Sequence, residues 1–253
     1  MTRPIRALIA PAVATLVGVA LLVTLGNWQL RRLAWKEALI AAVETRSHAP
    51  PIDAPAEADW PRLDPADYEY RRVQLTGAFE RDKQVFVFRA LADPRGRYGG
   101  QGYLVLTPLR LADGSIVLID RGFVPEASKA AADDIGGGQT SVVGLMRASE
   151  ARNWFTPADE PARGQWFTRD ISAIARAEGL MRVAPFIVDA DAGADPDALP
   201  EGGETLLAFP NNHLSYALTW YGLAAALIGV FAAFSASRLR GGGGSPVDEK
   251  IES

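Results

Sequence analysis

The sequence predicts a membrane protein in which two transmembrane α-helices flank a β-rich outer domain, α+β in class and mainly antiparallel. Three observations carry this. Ala7 to Leu30 hold no charged residue, and at ~1.5 Å per residue the apolar stretch crosses most of the ~30 Å of bilayer hydrocarbon. His213 to Phe234 form a second such stretch, followed at once by Arg238 and Arg240. Between them, short runs of Val, Tyr, Phe, Leu and Ile alternate with Pro-, Gly- and Asp-rich breaks, the pattern of strands and turns.

Taken in order, residues 1–6 form a cytoplasmic N-terminus and residues 7–30 the first span, with Pro11 in its early turns, where a missing amide hydrogen does least harm. Arg3 and Arg6 look like the start of a signal peptide. The apolar stretch is too long for that, no small-x-small site closes it, and LGNWQLRR runs directly into a charged helical segment, so it reads as an uncleaved anchor. No Arg- and Ser-rich transit segment precedes it, which favours a bacterial inner membrane.

Residues 31–210 are the outer, periplasmic domain, long enough at roughly 180 residues for its own core. Leu30 to about Val43 continue the helix above the membrane until a Pro-rich linker near 49–65 ends it. Strands are expected at Tyr70–Phe79, Gln84–Arg89, Gly102–Leu111 and Ser115–Asp120, the last two joined by the turn Leu-Ala-Asp-Gly at 111–114. An acidic, Gly-rich loop around 130–139 follows. Then come a strand at Ser141–Ala148, a short one at Gln165–Thr168, a helix near Asp170–Glu178 and a strand at Ala184–Asp189. Closed barrel and open sheet give the same strand pattern, and the residues leave both open.

The second span occupies 211–236, and 237–253 form a disordered cytoplasmic tail that begins as a glycine linker. No Lys or Arg occurs from Val183 to Ser237, so the basic residues after this span place its end in the cytoplasm; two spans put the N-terminus there too.

Composition removes several classes of function. A net charge of −4 offers no excess positive charge for nucleic acid. Zero cysteines exclude disulfides, thiolate metal sites, iron–sulfur clusters and covalent haem attachment, and the two histidines, His48 and His213, cannot build a multi-histidine centre from one copy of the chain. The stretch RGRYGGQG at 95–102 lacks the lysine and the following helix of a phosphate loop. DADAGADPD at 189–197 fails the ligand positions of a calcium loop and reads as a solvated acidic loop. No Gly-x-Ser-x-Gly occurs, and a serine triad has little histidine to draw on.

What remains is PNNHLSYALTWYGLA at 210–224. On a helix His213, Tyr216, Ala217, Trp220 and Ala224 form one stripe, with Trp220 roughly 10 Å along the axis from His213. A neutral imidazole beside an aromatic surface suits axial ligation of a porphyrin; an interfacial cap made by a histidine among asparagines is the alternative, and the residues leave both open. On the first span Gly26, Asn27, Trp28, Gln29, Arg31 and Arg32 emerge on the same side. Arg31 and Arg32 suit either the propionates of a porphyrin or lipid phosphates.

The runs LGNWQLRRLAWK (25–36), YRRVQLTGAF (70–79) and GYLVLTPLRLADGSIVLIDRGFVP (102–125), then GLMRASE, WFTRD and NNHLSYALTWYGLA (211–224), resemble the surfeit locus family of cytochrome c oxidase assembly proteins in order and spacing. The resemblance implies a non-enzymatic inner-membrane factor that binds haem a and aids its insertion into the oxidase catalytic subunit. Its partners would be that subunit, the haem a biosynthesis enzyme and membrane lipid. The family's haem-iron ligand corresponds to His213 and its helix tryptophan to Trp220, with Tyr216, Trp28, Arg31 and Arg32 as the surrounding candidates. A docking factor for an assembly intermediate, with no haem of its own, is the rival. A haem-modifying enzyme would need further ligands that this chain does not have.

Overall fold

A computed structural model describes residues 3–133, 138–205 and 211–241. The centre of the acidic loop, the segment 206–210, the tail from 242 and residues 1–2 lie outside the described residues. The chain divides into two units, residues 1–41 with 208–253, and residues 42–207.

Helix α1 runs unbroken from Arg3 to His48, with Pro11 inside it. The expected span and the expected helix beyond it are thus one element, long enough and apolar enough over Leu8–His48 to cross a membrane. Leu16, Val17 and Leu21 stand more than half exposed, as lipid-facing side chains would.

The second unit begins with the last turns of α1 and the Pro-rich linker, which contains the two-residue strand β1 (Ile52–Asp53) and ends in the single-turn helix α2 (Pro65–Tyr68). Asp64 caps α2 by accepting from Ala66 N at 2.9 Å, ahead of Pro65 in the first helical position. Six further strands follow: β2 (Arg72–Phe79), β3 (Val85–Leu91), β4 (Gly100–Leu111), β5 (Ile116–Pro125), β6 (Gln139–Ala148) and β7 (Val183–Ala190). The β4–β5 hairpin forms where the turn signal put it: Asp113 Oδ1 accepts from Ser115 N at 2.9 Å, and Gly114 takes a φ of +84°. The short strand expected at Gln165–Thr168 reduces to single bridges, Trp166 with Val87 and Gln165 with Glu160.

The strands lie in the order β1-β2-β6-β7-β5-β4-β3, and β2 also pairs with β4 through Gly77 opposite Leu111. The pairings therefore close a five-stranded ring, β2-β6-β7-β5-β4, with β1 and β3 added at its margins. Alternating direction cannot close around an odd number of strands. One neighbouring pair must run parallel, and it is β5 with β7. The mainly antiparallel expectation holds for the rest of the ring.

Period-two alternation sorts the core. Val117 and Ile119 of β5 face inward with Val73, Leu109, Met146 and Phe186, whereas Ile116 and Leu118 face outward with Val87, Trp166 and Ile187. The outward face is covered by α3 (Ile171–Ala177), whose Ile171 and Ile174 pack there and whose first turn is capped by Asp170 accepting from Ala173 N at 3.0 Å. Both faces of β5 are buried, which is why its sequence reads as an unbroken apolar run.

Helix α4 (His213–Gly241) closes the described chain and is the second element long and apolar enough to cross a membrane. It packs on α1 through small residues: Ala217 and Ala224 are buried, and a Cβ at Gly26 would stand 2.7 Å from the Tyr221 ring.

Candidate functional sites

In the helical unit, His213 is half-buried and its Nδ1 lies 2.7 Å from Gln29 Oε1. An amide oxygen only accepts, so a neutral imidazole in this contact donates from Nδ1 and keeps its lone pair on Nε2. Tyr221 Oη donates to Asn27 Oδ1 at 2.7 Å, roughly two turns further along α4. With about 100° between successive residues, Ala217, Tyr221 and Ala224 make the centre of the α4 face that meets α1. His213 and Trp220, both half-buried, flank that centre, and Tyr216 stands 56% exposed at the outer margin.

The structure thus brings His213 against α1 and keeps Trp220 on the same side of α4. Trp28 is 47% exposed, and Arg31 and Arg32 are exposed. The Arg32 guanidinium stacks over the Trp35 ring at 4.7 Å. Gln29, 9% exposed, and Tyr221 carry contacts that sequence reasoning had not assigned, although Gln29 sat among the residues noted there. The other histidine, His48, has its Nδ1 2.9 Å from Glu44 O at the end of α1. Among the described residues there is no cluster of His, Asp or Glu that could hold a metal ion on its own.

In the β domain the sequence concealed a second feature. Asp120 and Asp189 are register partners on the ring's parallel pair, β5–β7, and both take the outward face. Arg169 covers them: its Nη1 donates to Asp120 Oδ2 at 3.0 Å and to Asp189 Oδ1 at 2.7 Å, while its Nη2 donates to Glu150 Oε1 at 2.6 Å. Arg147 and Thr205 donate to Asp189 Oδ2 at 3.2 and 2.8 Å, and Arg89 donates to Glu150 Oε2 at 3.2 Å. These groups line a cavity of about 220 Å³. A neighbouring cavity shares Asp189, Gly203 and Thr205 and is also lined by Ser47 and His48, so this polar region lies at the end of the domain where the chain enters and leaves.

Burial, then repulsion from Asp189, pushes the Asp120 carboxyl up to about 7 against the pull of Arg169 and the Gly122 N–H. Burial would raise Glu150 as well, but the Arg169 and Arg89 guanidinium groups hold it down at about 2. The sequence signal was an acid closing an apolar run, in IVLID and again in FIVD: an acid buried within a strand needs a cation, and WFTRD supplies it.

The RGFVP segment lies within β5, which continues to Pro125. Phe123 is fully buried and exchanges backbone bonds of 2.9 and 2.8 Å with Glu201. The glycine-rich stretch expected as a loop at 95–102 is one over 95–99, and its last three residues, from Gly100, already belong to β4. Its amides are taken up internally: Arg95 N and Gly96 N donate to Glu204, and Arg97 N and Tyr98 N to Glu201.

Two helices of membrane-crossing length that bracket a closed, mixed β-barrel define a membrane-anchored β-domain protein. The chain belongs to the SURF1 family, whose pattern it matches over residues 16–225. It is 36% identical over 215 residues to Surfeit locus protein 1 of Mus musculus, covering 80% of this chain and 68% of the mouse protein. The Homo sapiens protein of the same name is 35% identical over 216 residues, 80% of this chain and 70% of that protein. A SURF1-like protein of Monosiga brevicollis is 35% identical over 217 residues, 79% of this chain and 78% of that protein.

Proposed function

We propose that this protein is an assembly factor for a haem a-containing cytochrome c oxidase. It resides in a bacterial inner membrane with both termini cytoplasmic and the β domain outside, binds haem a through His213, and passes it to the catalytic subunit without making or breaking haem bonds. Haem a supplies the oxidase with its redox centre; here it is cargo. Family membership supports the oxidase role, and Arg238 and Arg240 after the second span support the orientation.

The observation that carries the haem reading is the His213–Gln29 hydrogen bond, which leaves an imidazole lone pair at Nε2. The residues present fit a haem held by one imidazole. Trp220 and Tyr216 offer aromatic surface along α4, Trp28 offers it on α1, and Arg31 and Arg32 offer cations for propionates. A single ligand suits a carrier, because the exchange of one bond releases the cargo. The test is the visible spectrum of detergent-purified protein co-expressed with haem a biosynthesis, beside His213→Ala, with extracted haem identified. Haem a in the wild type and its loss in the variant are expected; a colourless wild type would sink the carrier reading.

A docking role without haem is the second reading, and one observation favours it. Trp154 and Phe155 are 86% and 88% exposed, edge to face at 5.8 Å, on a loop of the β domain. Such an uncovered aromatic pair is an anchor for a protein partner. Trp154→Ser/Phe155→Ser would then abolish co-purification with the oxidase catalytic subunit, with haem content unchanged.

A further inference from the structure

Gln29 is 9% exposed on α1, and its Oε1 meets His213 Nδ1 at 2.7 Å, so the orientation and tautomer of the imidazole on α4 are fixed by a residue 184 positions earlier in the chain. A ring free to rotate about χ2 presents either nitrogen to a ligand. A ring whose Nδ1–H is held presents Nε2 alone, with its lone pair already exposed to the incoming group. The nature of the acceptor matters as much as its position. A carboxylate partner draws the Nδ1 proton and makes Nε2 a stronger donor, the arrangement that hardens a metal–histidine bond, whereas a neutral amide oxygen holds the ring without that charge transfer.

From this geometry we infer that Gln29 is a positioning residue that pre-sets His213 as an Nε2 donor and, being neutral, keeps that donor weak enough to release a porphyrin. The inference rests on the haem reading given above. It assigns the two functions of a carrier to two atoms: capture to His213 Nε2, and ease of release to Gln29 Oε1. It also makes the helix pair itself a requirement for binding, since α4 alone lacks the group that orients its ligand.

Purified full-length wild type, Gln29→Glu, Gln29→Leu and His213→Ala, each loaded with haem a, test this by haem stoichiometry, by the ferrous iron–histidine stretching band in resonance Raman spectra, and by the rate of haem loss to apomyoglobin. Gln29→Glu keeps an acceptor and adds charge, so the band should rise and haem loss should slow by roughly tenfold; Gln29→Leu removes the acceptor, so the band should fall and loss should speed by a similar factor. Opposite displacements are what a merely structural glutamine does not give. Gln29→Glu indistinguishable from wild type in both band and rate, with haem lost in His213→Ala, overturns the inference and leaves the ligand reading standing. Retention of haem in His213→Ala overturns the ligand reading and this inference with it.

Discussion

Arg169 Nη1 donates to Asp120 Oδ2 at 3.0 Å with both side chains only 4–5% exposed, and the same nitrogen serves Asp189. Two carboxylates on adjacent parallel strands are thus held by one buried cation, and the proton that relieves their repulsion belongs to the pair.

A pH dependence of stability follows. Unfolded, Asp120 titrates near its ordinary 3.8; folded, it titrates at about 7. Between those values the folded chain keeps a proton that the unfolded chain has lost, so stability falls as pH rises, by at most about 1.4 kcal/mol per pH unit. Glu150 acts oppositely: its stabilisation is complete above its ordinary 4.5 and lost as pH falls toward about 2. Thermal melting of the β domain within the full chain should therefore be highest near pH 4, decline up to about pH 7 and level off above it. Asp120→Asn should flatten the decline and leave the acid limb in place. Parallel profiles for wild type and variant would show that Asp120 is not the group responsible.

Gly122 has a φ of +118° and lies against the Glu201 backbone, where the chain leaving β7 bridges to Phe123. A side chain there meets strained backbone and a carbonyl at once, and neither can move without breaking the Phe123–Glu201 pair. Gly122→Ala should cost about 2–4 kcal/mol, on the scale of backbone strain added to overpacking, and lower the melting temperature by roughly 5–15 °C. Gly193, with open space around it, is the control: Gly193→Ala should shift melting by less than about 2 °C. Equal shifts at the two glycines would refute the packing argument.

The contrast between those glycines shows what the sequence could reveal. Strands with one-sided alternation or unbroken apolar runs, β2 and β5 among them, were legible from the period of their side chains, and the β4–β5 turn from its Asp-Gly pair. Ring closure was not, because it depends on Gly77 meeting Leu111, a contact between residues with no local signature. The histidine stood out as an imidazole at the head of an apolar helix. Its partner did not, since a glutamine at the end of a span is unremarkable until the fold lays it against residue 213. The Arg169 network was hidden for the same reason: its acids and its cation are spread over four segments that only the barrel assembles.

The helix pair makes its own prediction. Tyr221 covers Gly26 and donates to Asn27, so its ring and its hydroxyl serve separately. Removing the hydroxyl in Tyr221→Phe costs one interhelical hydrogen bond, about 0.6 kcal/mol in a membrane setting. Gly26→Val drives two methyl groups into the ring and should separate the helices at this level, at about 1–3 kcal/mol. Cysteines placed at positions 18 and 227, which meet where Gly18 faces Leu227, report the outcome: cross-linking should persist in Tyr221→Phe and fall severalfold in Gly26→Val. Undiminished cross-linking in Gly26→Val would mean that the packing of this pair tolerates the added volume.

The two arginines at the end of the first span are not equivalent, and this separates propionate binding from lipid contact. Arg32 is engaged with Trp35 on its own helix at 4.7 Å, a stacking contact that fixes its guanidinium to one side. Arg31 is exposed one position earlier, about 100° around the helix. If a porphyrin liganded by His213 is anchored by a cation on α1, Arg31→Gln should lower haem retention several-fold, whereas Arg32→Gln should act weakly unless Trp35 is changed as well. Lipid contact alone predicts no change in retention for either variant, only a shift in membrane partitioning. Measuring haem per protein for Arg31→Gln, Arg32→Gln and the double variant distinguishes the cases: full retention in the double variant removes both arginines from the haem site and leaves them to the phosphate layer.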